Sequence, residues 1–180
     1  MAHSLDGLAF QAYCRRLHFS KKTQDLLETI RSSPPSRTPG ARRGNMPVWY
    51  PSKKMQCIIK AESAKVEFAF LLQAEHDDDI LEIWDQPPSI PLEYRDRRNR
   101  IQRPNHTADY FVFRARTCGW IECKPTAELI KQAATRPNRN LWHKVAKLGG
   151  KEHGNTAILI PFFRTLVLII SCSTDRATLR

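Results

Sequence analysis

The most constraining stretch of this chain is residues 105–125, NHTADYFVFRARTCGWIECKP. Tyr110-Phe111-Val112-Phe113 is an unbroken run of aromatic and β-branched side chains, which favours a buried strand. Arg114 to Gly119 reads as a hairpin connection and Trp120-Ile121-Glu122-Cys123-Lys124 as the returning strand, which Pro125 ends. Successive side chains on a strand point to opposite faces. Glu122 and Lys124 therefore share one face, while Ile121 and Cys123 take the other, toward the core. Asp109 stands at the mouth of the first strand, where the hairpin can bring it close to Glu122. The fold has to be a sheet built around this hairpin, with acids and a lysine at one end.

The rest of the chain supplies about one domain's worth of material. Its 180 residues can bury a core without disulfides or a structural metal. Residues 5–32 read as a helical region closing on Leu26, Leu27 and Ile30. Residues 33–52 hold five of the twelve prolines and two glycines, the composition of an extended linker or wrapping loop. Ser63 reads as the N-cap of a helix over AKVEFAFLLQAEH, with an apolar face of Val66, Phe70 and Leu71. Asp77-Asp78-Asp79 ends that helix. Ile80 to Trp84 is a short strand stopped by Gln86-Pro87-Pro88, and Pro91 to Tyr94 an edge strand. Arg95 to Arg103, five arginines in nine residues, reads as a solvated turn or loop. Residues 126–148 suggest one or two helices broken near Pro137. Ala157 to Ser171 is nearly all apolar, interrupted by Pro161 and Arg164, and its pattern selects no element. The expected organisation is a basic helical arm and Pro-rich linker (1–45), a main domain (46–154) and an apolar tail (155–180).

Charge is distributed unevenly. Residues 1–61 carry 11 basic and 3 acidic side chains, residues 62–93 carry 1 and 9, and residues 94–180 carry 17 and 6. The net +11 is thus two basic arms around an acidic island. An enzyme acting on a polyanion shows that pattern when carboxylates hold cations and Lys/Arg hold phosphates; acids facing water show it too.

Asp109 followed by Glu122-x-Lys124 on the next strand resembles the core of PD-(D/E)xK nucleases. The chemistry asks for these residue types. Two carboxylates hold a hard divalent cation through oxygen. The cation polarises a phosphodiester and acidifies a bound water. A lysine orients or helps deprotonate that water and offsets charge at the phosphate. Glu67, on the upstream helix, supplies the third acid usual in such a core.

Three segments together, residues 51–94, HTADYFVF and GWIECKP, resemble the catalytic domain of the TnsA family, the transposon-encoded endonucleases of heteromeric Tn-type transposases. The matching residues are Glu67, Gln86-Pro87, Ala108-Asp109-Tyr110 and Glu122-Cys123-Lys124-Pro125, over roughly residues 46–148. The resemblance implies an α/β fold, a mixed central β-sheet flanked by helices, restriction-endonuclease-like. It implies that residues 46–154 are an endonuclease domain that cleaves the 5′ strands at transposon ends. Glu67, Asp109 and Glu122 would bind Mg²⁺, with Mn²⁺ as a substitute, and Lys124 would serve the attacking water. The implied partners are double-stranded DNA, a TnsB-like transposase and a TnsC-like ATPase regulator. Alanine before Asp109 replaces the family's proline, and the chain after Lys151 departs from the family pattern, which implies that 155–180 is a shortened or altered C-terminal region. Rival readings are a stand-alone restriction or repair nuclease, and a DNA-binding adaptor that has lost cleavage.

Smaller constellations are weaker. Cys118 and Cys123 with His106 and His143 offer a loose zinc spacing, but Cys123 alternates as a core side chain does. His106 either faces the acidic site or is a hydrogen-bonded loop histidine. Trp49, Tyr50 and Arg42-Arg43 either grip DNA or pack on the domain. The first residues lack the pattern of a signal peptide, and five irregularly spaced cysteines suit a reducing compartment. The expectation is a cytoplasmic protein with no membrane partner, and the resemblance implies a prokaryotic one.

Overall fold

The computed structural model describes residues 5–37, 46–91, 94–96, 98–125, 157–162 and 165–171. The helices expected over 126–148, Arg42-Arg43 and His143 lie outside the described residues. Among the described residues three helices, α1 (Gly7–Arg16), α2 (Lys21–Ser32) and α3 (Glu67–His76), accompany a hairpin of β1 (Val48–Ser52) and β2 (Cys57–Ala61). Next come β3 (Ile80–Asp85), the short strands β4 (Ile90–Pro91), β5 (Tyr94–Arg95), β6 (Ile101–Gln102) and β7 (Asn105–His106), and then β8 (Tyr110–Arg114) and β9 (Cys118–Pro125). The last two strands are β10 (Ala157–Phe162) and β11 (Thr165–Ser171).

The central sheet has the order β10-β11-β9-β8-β3. The fold is α/β as expected, but the sheet is not mixed: every described pair is antiparallel. The β8–β9 and β10–β11 hairpins each reverse the chain directly, and the β4–β7 excursion returns it antiparallel to β3. An antiparallel pair needs no crossover helix.

Strand β8 is buried on both sides, which is why its sequence is apolar without alternation. On one face Phe111, Phe113 and Trp120 pack with Phe10, Tyr13, Leu27 and Ile30 of α1 and α2. On the other, Tyr110, Val112, Ile121 and Cys123 pack with Phe70 and Leu71 of α3, and with Met55 and Ile59 of the β1–β2 hairpin. The N-terminal helices are therefore not an arm outside the core. Nor are they one helical region. Asp6 and Ser20 cap two separate N-termini, accepting from the Ala9 N–H at 2.8 Å and the Thr23 N–H at 3.2 Å, and His18 at φ 52° marks the break.

Three local readings are corrected. Val48–Ser52, assigned to a linker, is a strand, because Cys57–Ala61 pairs with it across a tight connection that uses Gln56 at φ 52°. Ser63 does not cap α3 with its side chain; the helix starts at Glu67, and the Ser63 carbonyl accepts from the Phe68 N–H at 3.0 Å. The edge strand after Gln86 is two short pieces that pair with β7 and β6. The apolar tail supplies β10 and β11, with Leu166 opposite Lys124 and Leu168 opposite Glu122. Pro161 is tolerated because β10 is an edge strand. Removing residues 155–180 therefore strips β9 of its neighbour, and a fall in thermal midpoint is the expected result.

The hairpin is tied to α3 by one lysine. Lys54 Nζ donates to the carbonyls of Ala74, Asp77 and Ile80 at 2.8, 2.7 and 2.6 Å, so it serves as the cation at the helix C-terminus. Glu75 answers from the helix, accepting from Ser52 Oγ at 2.6 Å and the Lys54 N–H at 2.8 Å. Lys54→Met should lower stability by about 1–3 kcal/mol in urea unfolding, because it removes the shared donor of three carbonyls. Among the described residues, no helix is long and apolar enough to cross a membrane.

Candidate active site

The antiparallel register puts Tyr110 opposite Ile121 and Phe111 opposite Trp120. One step further along, Asp109 is the position across from Glu122. Both carboxylates, with Lys124 and with Glu67 from the first residue of α3, line a cavity of about 600 Å³. The four residues singled out in the sequence thus meet in one place. Ile121 and Cys123 pack into the core cluster, and Cys123 also borders the cavity.

Each acid has a distinct environment. Asp109 is 7% exposed, and its Oδ2 accepts the Cys123 N–H at 2.6 Å. Burial, then the charges of Glu122 and Glu67, push its carboxyl up to about 8. Glu67 is equally buried and reaches back to accept the Glu62 N–H at 2.7 Å; burial raises its carboxyl above the ordinary range. Burial also raises Glu122, but a hydrogen bond from His106 and the charge of Lys124 outweigh it and hold the carboxyl low. His106 Nε2 is 3.0 Å from Glu122 Oε2, and Lys124 Nζ donates to Oε1. The loop histidine is hydrogen-bonded to a member of the site.

Two features were not legible in the sequence. Arg37, from the Pro-rich segment, reaches the cavity: its Nε is 3.2 Å from Glu62 Oε1 and its Nη2 3.9 Å from Asp109 Oδ1. Ser36 fixes that segment, donating from its N–H to the Gln86 carbonyl at 2.8 Å and from its hydroxyl to the Pro87 carbonyl at 3.0 Å. Gln86, at φ 46°, donates its own N–H to the Asp109 carbonyl at 2.9 Å. The Gln-Pro step therefore positions the aspartate strand as well as ending β3. A lone arginine among prolines gives no such signal.

The acidic island does not act as a block. Among its described members only Glu62 and Glu67 line the cavity. Glu75 holds the hairpin, Glu82 pairs with Arg31, and Asp77 and Asp79 pair with Arg114.

The donors fit a hard divalent cation in kind, since carboxylate oxygens are what Mg²⁺ takes and the repulsion raising Asp109 is what a cation relieves. As arranged, however, no group of three His, Cys, Asp or Glu among the described residues stands ready to hold one ion. Lys124 and His106 occupy Glu122. The backbone donors of Cys123 and Glu62 occupy Asp109 and Glu67.

Asp109 makes a pH prediction. Its folded carboxyl titrates near 8 and the unfolded one near 3.8, so between those values the folded chain holds a proton that the unfolded chain has released. Stability is then greatest below the unfolded value and falls as pH rises through this window, by up to about 1.4 kcal/mol per pH unit. Thermal midpoints in EDTA from pH 5 to 8 should decline for the wild type. Asp109→Asn should flatten that slope.

Comparison with models of known protein families finds none that matches this chain, and no curated protein matches it.

Proposed function

We propose that the protein is a metal-dependent DNA endonuclease with a restriction-endonuclease-like core, akin to the TnsA family. In this reading it cuts the 5′ strands at transposon ends beside a TnsB-like transposase and under a TnsC-like ATPase. The observation that carries the proposal is the meeting of Glu67, Asp109, Glu122 and Lys124 around one cavity, with the two strand acids at facing positions.

Glu67, Asp109 and Glu122 would hold Mg²⁺ or Mn²⁺. The ion would supply Lewis acidity toward the phosphodiester and an acidified water. The chain's own part follows from its side chains. Lys124, two residues from Glu122 on the same strand face, would release Glu122 and turn its ammonium to the attacking water or the phosphate. Hydrolysis joins the water oxygen to phosphorus and breaks one ester P–O bond, so a single positioned cation at Lys124 suits the charge that develops. Arg37, half-exposed at the mouth, balances the acids.

The test has two arms. Calorimetric titration with Mn²⁺ should show binding at Glu67, Asp109 and Glu122, and a transposon-end duplex should be nicked only with divalent metal and the partner transposase. Nicking without any partner would favour the stand-alone nuclease. DNA binding with neither metal binding nor nicking would leave the adaptor reading.

A further inference from the structure

The described residues of segment 90–106, read from sequence as an edge strand and a solvated loop, form two short antiparallel strand pairs in a ribbon. Ile90 and Pro91 pair with His106 and Asn105 at its root, and Tyr94 and Arg95 pair with Gln102 and Ile101 nearer its tip. The turn is built by Asp96. Its Oδ1 accepts the N–H groups of Arg98 and Arg100 at 2.8 and 2.9 Å, and its Oδ2 takes Arg100 Nε at 2.9 Å and Gln102 Nε2 at 3.1 Å. Asn99, at φ 60°, closes it, and its carbonyl accepts from Arg95 Nη1 at 3.0 Å. The one acid in the described part of the ribbon is thus used inside the turn, while Arg95, Arg98, Arg100 and Arg103 are exposed. The root is continuous with the candidate site: Asn105, His106 and Thr107 line the cavity, and His106 bonds Glu122.

We propose that this ribbon is a nucleic-acid-binding finger that grips the sugar–phosphate backbone of duplex DNA and leads it to the cavity. Charge complementarity selects the occupant. By sequence, residues 90–106 hold five arginines and two acids, a net +3, and the Asp96 turn fixes Arg98 and Arg100 of the described part. A two-stranded ribbon is narrow enough to enter the major groove, and guanidinium groups match phosphate oxygens in a bidentate way. Ile101, 43% exposed beside these arginines, gives the tip an apolar contact for sugar or base edges. The proposal rests on the endonuclease reading for where the DNA goes next, but not for whether the finger binds it.

The experiment measures affinity for a duplex by fluorescence anisotropy in EDTA, across a series of KCl concentrations. The unaltered chain is compared with a triple variant, Arg95→Gln, Arg98→Gln, Arg100→Gln, and with the corresponding triple Lys variant. The Gln variant should bind on the order of 10-fold or more weakly at 0.1 M salt, and its log K against log [salt] slope should shrink by about 2 to 3. The Lys variant should keep most of the slope, since it keeps the charge. Circular dichroism melts check that both remain folded. Unchanged affinity and slope in the Gln variant would overturn the proposal. So would equal losses in the Gln and Lys variants, which would mean that turn structure and not charge is at stake. Loss of binding to vesicles of phosphatidylglycerol and phosphatidylcholine, with DNA affinity intact, would assign the finger to an anionic lipid surface instead. Because no metal is present, failure of the nuclease reading leaves this result untouched. Normal nicking by a Gln variant with normal affinity would remove the finger alone.

Discussion

Asp109→Asn and Glu122→Gln should each abolish metal-dependent nicking, whereas Lys124→Ala should keep the ion and lose the cut. Each acid substitution removes one of two anionic donors that face each other across β8 and β9. The loss of Lewis-acid stabilisation is several kcal/mol, or about 10³-fold or more in rate. Amide replacements are preferable to alanine at these positions. An asparagine carbonyl at 109 can still accept the Cys123 N–H, which would otherwise be left buried without a partner. Lys124→Ala takes away a positive charge next to Glu122, so Mn²⁺ affinity should be unchanged or higher while nicking falls by about 10²-fold or more. Glu67→Gln should weaken metal binding and cleavage together. Calorimetry and single-turnover nicking read the two effects separately. Normal nicking by the Asp109 and Glu122 variants would reduce these acids to ordinary charges and end the nuclease reading.

The second large effect lies far from the cavity. Glu82 is fully buried on β3, and Arg31 of α2 meets it with Nε and Nη2, each at 3.0 Å. The same carboxylate accepts the Leu5 N–H and the Trp84 indole N–H, also at 3.0 Å, and the guanidinium lies 4.4 Å from the centre of the Phe10 ring. One ion pair therefore joins both N-terminal helices to the edge of the sheet. Breaking it from one side leaves a buried charge uncompensated, at a cost of about 3–5 kcal/mol. Arg31→Met and Glu82→Leu should each lower the urea midpoint sharply, and the double variant should recover much of the loss because both charges are gone. Additive losses would mean that the two side chains do not act as a pair. Nicking by folded Arg31→Met protein should match the wild type, since neither residue lines the cavity.

Much of the candidate site was readable from the chain because its signals are local. Period-two alternation put Glu122 and Lys124 on one face, and a hairpin of short connection brought Asp109 opposite Glu122. Glu67 was reached through the resemblance to a nuclease core, which asks for a third acid on the upstream helix, although the N-cap of that helix was misplaced. The backbone there is satisfied by the Glu67 side chain reaching back to the Glu62 N–H and by the Ser63 carbonyl, not by the Ser63 side chain.

What the sequence determined by itself was therefore the β8–β9 hairpin, α3 and β3, properties of periodicity within about a dozen residues, and, through resemblance to a nuclease core, the residue types at the cavity. What only the tertiary structure decided depends on partners far apart in the chain. Arg37 is 72 residues from Asp109, Arg31 is 51 from Glu82, and Leu5 is 77 from Glu82. The hairpin at Val48–Ala61, the antiparallel sheet and the tail strands beside β9 likewise rest on pairings between segments. Local composition marks a residue as charged or apolar. Whether a carboxylate becomes a clamp, a cap or a metal donor is set by which distant donor arrives beside it, and by how completely the packed sheet excludes water around the pair.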